Sequence, residues 1–513
     1  MKNRLVILLL FLSATLQSEA FVKIPDILSS GMVLQQQASV PIWGTALPGE
    51  AVVVSFGGQT RETKADMSGK WKVFLDPMEA TDSGRTMVIR GINTIHLKDI
   101  VIGEVWLCAG QSNMQLVLSR TVKGDSVVAS ANYPMLHFFN VNRENAFGHS
   151  RGPLGIWEPC TPSSVKAFSA AAYYFGLALQ NKLKVPVGII NASFGGSQAE
   201  AWTPEAYLAV PDLQPCIDRD TLWASQRAGV QASYERQLKD WKIYAEKEKG
   251  AGRRTKEAPH QPEALRDYRP TASIYDCMIE PLIPFQIKGC LWYQGESNEG
   301  RAEQYGILLP AMIKAWRDRW KLSFPFGIVQ LPNYRDKKDV PVDGAWSFLR
   351  DAQRKTAGSV EKTGLIVLID AGEAHNIHPH NKEIVGQRML RWALARVYRL
   401  DMLPGGPRFV KATASKGAMT AYFDICGSGL ITTDGKAPAS FALAGADHKW
   451  YWAKAKIVNK HEVRIWSRDV KKPVAVRYAF NNNPNDPNLT NDSGVPASPF
   501  RSDNWNGPTH GKR

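Results

Sequence analysis

Cysteine is scarce in this chain: there are six in 513 residues, at positions 108, 160, 216, 277, 290 and 426. They are widely spaced and form no Cys-x-x-Cys pair, which argues against a zinc knuckle and against a dithiol redox motif. No segment after the first twenty residues has the uninterrupted apolar length of a membrane-spanning helix. Neither a Gly-x-x-x-x-Gly-Lys-Ser/Thr loop nor a Gly-x-Gly-x-x-Gly turn is present, so no nucleotide cofactor is indicated. Long blocks of one charge are missing as well. The net charge is +15, but the basic residues of 236–256 are interleaved with Glu235, Asp240, Glu246, Glu248 and Glu257. That is the pattern of a solvated helical face, not of a nucleic-acid-binding tract.

What is present begins with a leader. Lys2 and Arg4 precede an apolar run from Leu5 to Leu12, and a small-residue end follows at Ser18-Glu19-Ala20, the three regions of a secretory signal. Residues 1–20 are therefore expected to direct export to the periplasm or the extracellular space. The remaining length exceeds what one hydrophobic core usually supports, so two or three domains are expected.

Residues 21–98 alternate short apolar segments (Met32–Leu34, Val40–Trp43, Val52–Phe56, Trp71–Phe74, Met87–Arg90) with turns such as Pro48-Gly49 and Gly57-Gly58, which predicts a small β-sandwich. From 99 to 405 the rhythm changes. Apolar runs at Val105–Ala109, Val187–Ile190, Ile287–Tyr293, Phe326–Val329 and Leu365–Ile369 alternate with helix-like spacing over 167–184, 302–320, 346–356 and 381–400. This predicts a doubly wound α/β domain with a mostly parallel sheet, whose ligand crevice lies beyond the carboxyl ends of the strands. A polar insert at about 205–270, helical around Tyr234–Lys249 and broken at Gly250–Arg254, reads either as a lid or as a surface decoration. Residues 406–513 return to strand patterns and predict a β-rich domain. Their Asn- and Pro-rich tail, 481–513, has little structure of its own in its sequence and is expected to pack back through Pro499-Phe500 and Trp505.

Chemistry concentrates at the strand ends. The run Gly103–Met114 (GEVWLCAGQSNM) leaves Ser112 at the end of a strand and the start of a helix, where backbone N–H groups converge on a developing oxyanion. A lone serine there is ordinarily a helix cap, and acts as a nucleophile only with a base beside it. His378, between two other histidines (His375, His380) and fixed by Pro379, is the expected base. The zincin pattern is absent from this histidine cluster, and no metal is expected. An orienting carboxylate would be Glu296 or, alternatively, Asp370. Oxyanion donors are expected from the backbone of Ser112, from the Gly195-Gly196 turn, and from an amide of Gln294 or Asn298. The serine is not in a Gly-x-Ser-x-Gly elbow, since Met114 stands where the second glycine would be.

The motifs GEVWLCAGQSNM, Phe194–Trp202 (FGGSQAEAW), Trp292–Asn298 (WYQGESN) and Ile377-His378-Pro379 resemble those of the sialate O-acetylesterase group of the SGNH hydrolases. The resemblance extends to Met32–Gln35 and to Gly494–Arg501. It implies an SGNH-type, flavodoxin-like parallel sheet and an exported serine esterase that removes acetyl groups from sugar hydroxyls without cofactor or metal. Ser112 would be the nucleophile and His378 the base, beside the oxyanion hole of Ser112, Gly196 and Gln294 read from the residues above. Asn376 replaces the aspartate that the family commonly has two residues before the histidine. That substitution leaves Glu296, or a backbone carbonyl, to orient the imidazole. Acetylated sialic acid is the implied substrate, with acetylxylan or a non-catalytic glycan-binding role as alternatives. A sialate carboxylate would need a cation near the site, for which Arg335, Arg253 and Arg254 are candidates. Oligomeric state is not legible.

Overall fold

The computed structural model describes residues 21–143, 153–253, 255–260, 262, 265 and 269–513; the leader and Arg254 lie outside them. The amino-terminal part is built from β1 (Val33–Gln35), β2 (Val40–Thr45), β3 (Ala51–Phe56), β4 (Gln59–Lys64), β5 (Lys70–Leu75), β6 (Thr81–Arg90) and the seventeen-residue β7 (Thr94–Gly110). β2 pairs with β5 as one antiparallel ribbon, while β4, β3, β6 and β7 form a second sheet with β1 parallel to β7. Burial alternates along β3 and β5, so that Val52, Val54, Phe56, Trp71, Val73 and Leu75 face the interior.

β7 then continues into a second sheet. Its first half pairs with β6 and β1, and from Glu104 onward it pairs with strands of the central sheet. At the handover the buried Glu104 carboxylate accepts hydrogen bonds from Gln36 Nε2 (2.6 Å) and Tyr398 Oη (2.8 Å). The central strands are β8 (Tyr133–Asn140), β9 (Trp157–Cys160), β10 (Val187–Ser193), β11 (Gly289–Tyr293), β12 (Phe326–Val329) and β13 (Thr363–Ile366). Their order is β13-β12-β11-β7-β10-β8-β9. All neighbours run parallel except β8 and β9, which makes the sheet mixed rather than parallel. β10 separates β7 from β8, so the order also departs from the flavodoxin-like one, in which the first two strands are neighbours.

Helices α1 (Ser112–Gln115), α2 (Gly124–Ser130), α3 (Pro162–Lys166), α4 (Ala170–Leu183), α5 (Gln214–Gly250), α6 (Ala302–Trp320), α7 (Ala345–Ser359) and α8 (Glu383–Arg396) connect the strands. α4 packs on α8, and α6 on α7. The two pairs cover opposite faces: on β11 Leu291 meets Trp392 of α8 above Gly327, whereas the next residue, Trp292, packs edge-on against Trp316 of α6 at 5.7 Å. Trp106, Trp202, Trp292 and Trp316 are fully buried, each contributing roughly 2–3 kcal/mol of hydrophobic stabilisation.

The insert helix α5 is 37 residues long and buries only Cys216. It begins far upstream of the stretch read as helical, because a helix without an apolar stripe gives no periodic signal. No helix among the described residues is long and apolar enough to cross a membrane. All six cysteines are free.

Seven antiparallel strands between Arg408 and Arg501 form the carboxyl-terminal sheet. Its core takes in Val367 and Ile369 from the segment after β13. The Asn-rich tail is ordered by polar contacts that its composition does not advertise. The buried Arg350 of α7 donates to the carbonyl oxygens of Asn481 and Asn482 (the latter 3.1 Å), and Phe500 stacks on Phe409 at 3.8 Å.

Candidate active site

Ser112 is delivered by the end of β7. Gly110 there has φ +145°, and a Cβ on it would lie 2.1 Å from the carbonyl oxygen of Tyr293 on β11, so only glycine lets the two strand ends close. Gln111 N–H donates to that same carbonyl (3.0 Å), and Ser112 opens α1. This helix is a single turn. Its contribution at the serine is therefore the unpaired N–H groups of its first turn rather than an extended helix dipole. Ser169, the N-cap of α4, donates from Oγ to the carbonyl of Met114 (2.5 Å) and fixes α1 from below.

His378 reaches the serine from the loop after β13: its Nε2 lies 2.8 Å from Ser112 Oγ. The other histidines diverge, His380 toward Glu373 (3.2 Å) and His375 toward Asp336 (3.6 Å). Asn376, in place of a carboxylate, accepts the His378 backbone N–H on Oδ1 (3.0 Å) and donates from Nδ2 to Glu373 (3.1 Å). It shapes the loop and makes no bond to the imidazole. Burial holds the His378 pKa below its usual value, and the positive charges of Lys382 and then His380 lower it further.

Glu296 is at the site, but one residue removed from the imidazole. Its Oε1 accepts from Asn113 Nδ2 (2.6 Å), and the same Nδ2 donates to the carbonyl of Ile377 (2.9 Å), the residue before His378. Asn113 Oδ1 accepts from Lys382 Nζ (2.6 Å), which also lies 5.2 Å above the Tyr293 ring. Glu296, Asn113 and Lys382 thus form a buried bridge beneath the Ser112–His378 pair. Glu296 Oε2 is buried with no hydrogen-bond partner among the described residues. Burial pushes the Glu296 carboxyl above its ordinary pKa, only partly offset by Asn113, by the backbone N–H groups of Glu296 and Gly295 and by the charge of Lys382, and burial pushes the Lys382 ammonium down to about 7. Asp370 is taken by Arg388 in a two-bond ion pair (2.5 and 2.7 Å) and does not hold the histidine.

The Gly195-Gly196 turn lies against Ser112, since a Cβ on Gly195 would sit 3.5 Å from Ser112 Cβ. Gly195 N–H is engaged by Gln115 Oε1 (2.6 Å), whereas the N–H groups of Ser112 and Gly196 have no partner among the described residues. Gln294 is not brought to the cleft. It is fully buried, and its amide donates to Ser197 O (3.0 Å) and Asn298 Oδ1 (2.8 Å). Asn298 is likewise committed, accepting from Ala199 N–H (2.9 Å) and donating to Glu200 (2.8 Å). Both amides brace the turn after β10 instead of facing the serine. Arg335 and Arg253 are also elsewhere, each in a two-bond pair, with Glu299 (2.8 Å twice) and Glu248 (2.6 and 3.0 Å) respectively. Asn113 and Lys382 carry no motif that points to this role. The one signal in the sequence is their position, Asn113 directly after the serine and Lys382 four residues after the histidine.

Residues 102–235, which contain Ser112 and the Gly195-Gly196 turn, match the family model described as carbohydrate esterase, sialic acid-specific acetylesterase. The sialate O-acetylesterases of Pongo abelii and Homo sapiens are 27% and 26% identical to the chain, each over 92% of it and 91% of theirs. The crystal structure of a carbohydrate acetylesterase from Xanthomonas citri is 32% identical, superposes with a TM-score of 0.77, and is matched over 100% of its length by 94% of this chain. The chain belongs to the sialate O-acetylesterase family. As a member of the sialate O-acetylesterases it is an ester hydrolase of carbohydrate deacetylation. The whole length of the Xanthomonas relative is represented, flanking β-rich parts included.

Proposed function

We propose that the protein is an exported serine esterase that removes O-acetyl groups from sialic acids through an acetyl-serine intermediate. The observation that carries this reading is the 2.8 Å contact of His378 Nε2 with Ser112 Oγ at the floor of an open cleft. Ser112 Oγ attacks the acetyl carbonyl while His378 takes its proton, which requires a neutral imidazole; the lowered His378 pKa favours that form at neutral pH. The N–H groups of Ser112 and Gly196 stabilise the tetrahedral oxyanion. Collapse expels the sugar alcohol, which takes the proton back from His378. Water, deprotonated by the same imidazole, then attacks the acetyl-serine; as the bond to Ser112 Oγ breaks, His378 returns the proton to that oxygen and acetate leaves. Every step uses groups of the chain and water.

Glu296 contributes to orientation indirectly in this scheme. Through Asn113 it holds the Ile377 carbonyl, and with it the loop that carries His378. Export rests on the leader-like sequence of residues 1–20.

The deciding experiment is acetate release by the mature protein and by Ser112→Ala from O-acetylated sialic acid and acetylated xylan in parallel. Release from the sialic acid, reduced at least about 10³-fold in the variant, is expected. Release from xylan alone would keep the mechanism and change the substrate. Release from neither, with no Ser112-dependent labelling by a fluorophosphonate, would leave a glycan-binding protein.

A further inference from the structure

The cleft over Ser112 and His378 encloses about 630 Å³. Its walls come from the chain after α1, the end of α3 and the segment leaving β8, and every side chain of fixed charge among them is a cation: Arg120, Arg143 and Lys166. No carboxylate among the described residues lines it.

The placement of these cations is built into the backbone. Arg120 ends the helical turn Leu118–Arg120, and Lys166 ends α3. The two segments are tied together by Leu118 N–H to Phe168 O (3.0 Å) and Ala170 N–H to Leu116 O (2.9 Å). Arg143 leaves β8 at a point fixed by Val141 N–H to Asn191 O (2.9 Å).

All three side chains are exposed to the cleft mouth, and none pairs with a carboxylate among the described residues. Other arginines of the protein are matched by carboxylates. Arg335, Arg354, Arg388, Arg408 and Arg477 each hold an acidic partner. Three positive charges around one cavity, with no paired carboxylate among the described residues, repel each other, and an anion entering it relieves that repulsion. Guanidinium groups also match a carboxylate bidentately.

We propose that Arg120, Arg143 and Lys166 are specificity-determining residues that receive the carboxylate of an acidic sugar while its acetyl ester lies against Ser112. This assignment rests on the esterase reading of the Ser112–His378 pair. The cations act on binding and encounter rather than on the acyl-transfer step. A neutral acetylated polysaccharide draws nothing from them, whereas an anionic sugar is drawn in and oriented, less strongly as salt screens the field.

The test compares kcat/KM for an O-acetylated sialic acid with that for its methyl ester, in which the carboxylate is neutralised, using the full mature protein. The wild type is expected to prefer the acid. In Arg120→Ala, Arg143→Ala and Lys166→Ala the ratio of acid to methyl ester falls by several-fold each, and in the triple variant by about 10- to 100-fold, chiefly through KM. Arg120→Lys retains part of the preference. Residual Ser112-dependent hydrolysis of p-nitrophenyl acetate reports that each variant is folded. Equal wild-type activity on acid and methyl ester, or a triple variant that loses both alike, overturns the subsite and leaves the sialate esterase reading standing. Turnover of neither sialate by a protein that still cleaves p-nitrophenyl acetate overturns both.

Discussion

Two carboxylates, Glu200 and Glu296, sit within the same group of strand-end loops, and their surroundings are opposite. Glu200 is met by Arg219 and Arg301 (2.8 Å each) and by Asn298 (2.8 Å), so both oxygens are bonded. Burial alone would raise its pKa, but Arg301 and then Arg219 outweigh it, and the carboxyl is held below its ordinary value. Glu296 has one amide on one oxygen, a bare second oxygen, and a raised pKa. A fully paired buried carboxylate is a structural fastening. A half-satisfied one beneath the Ser112–His378 pair costs stability, and that cost falls next to the residues proposed to react. Loop composition does not separate the two; partner count does.

Removing each carboxylate in turn breaks the comparison most directly. Glu200→Gln leaves two half-buried guanidinium groups without their counter-charge and is expected to lose about 3 kcal/mol of stability, read as a lowered melting temperature. The activity of the remaining folded fraction should change little. Glu296→Gln is expected to do the reverse, with stability within roughly 1 kcal/mol of the wild type and kcat reduced at least about tenfold. Equal stability losses in the two variants would erase the distinction.

Asn113→Ala sharpens the same contrast from the amide side. It unties Glu296, Lys382 and the Ile377 carbonyl together, and should cost about 1–3 kcal/mol of stability with a drop in kcat that exceeds any change in KM. The smallest expected effect is on pH dependence. In the proposed mechanism kcat/KM requires neutral His378, so its acid limb should lie below the usual imidazole range. Lys382→Met removes a positive charge that disfavours the imidazolium, and should move that limb to higher pH. A limb that stays in place would show that Lys382 does not act on His378. The linkage to folding has a definite sign. Because the Lys382 pKa is depressed in the fold to about 7, the folded protein binds fewer protons than the unfolded chain between about pH 7 and the unperturbed lysine value. Its contribution to stability is fully present above that value and is lost as pH falls through 7.

That Ser112 and His378 come together is foreshadowed in the sequence alone. A serine bounded by Gly110 and a polar triplet, and a histidine pinned by Pro379, are local patterns that the fold preserves. The support beneath them is not legible there, because it is made through space: Asn113 connects groups 183 and 264 residues away in the chain. The cations of the cleft wall escape for the same reason. Arg120, Arg143 and Lys166 share no motif, whereas Arg335 and Arg253, which stand out in the sequence, are paired with acidic neighbours of their own. For the fold, alternation of apolar runs and helical spacing identifies the mixed α/β core. It carries no information on strand order, so neither the position of β10 between β7 and β8 nor the antiparallel β9 edge follows from it. α5 reads too short because a solvated helix leaves no apolar period.

β7 carries a consequence for how this protein can be divided. The strand whose end presents Ser112 is, in its first half, a member of the amino-terminal sheet. The β-rich front of the molecule is therefore no detachable accessory. A polypeptide beginning at residue 99 would start within β7 and lack the whole of β1 and β6 beside it, in the strand whose end presents Ser112. The front sheet and the strand end that presents Ser112 are one continuous piece of structure.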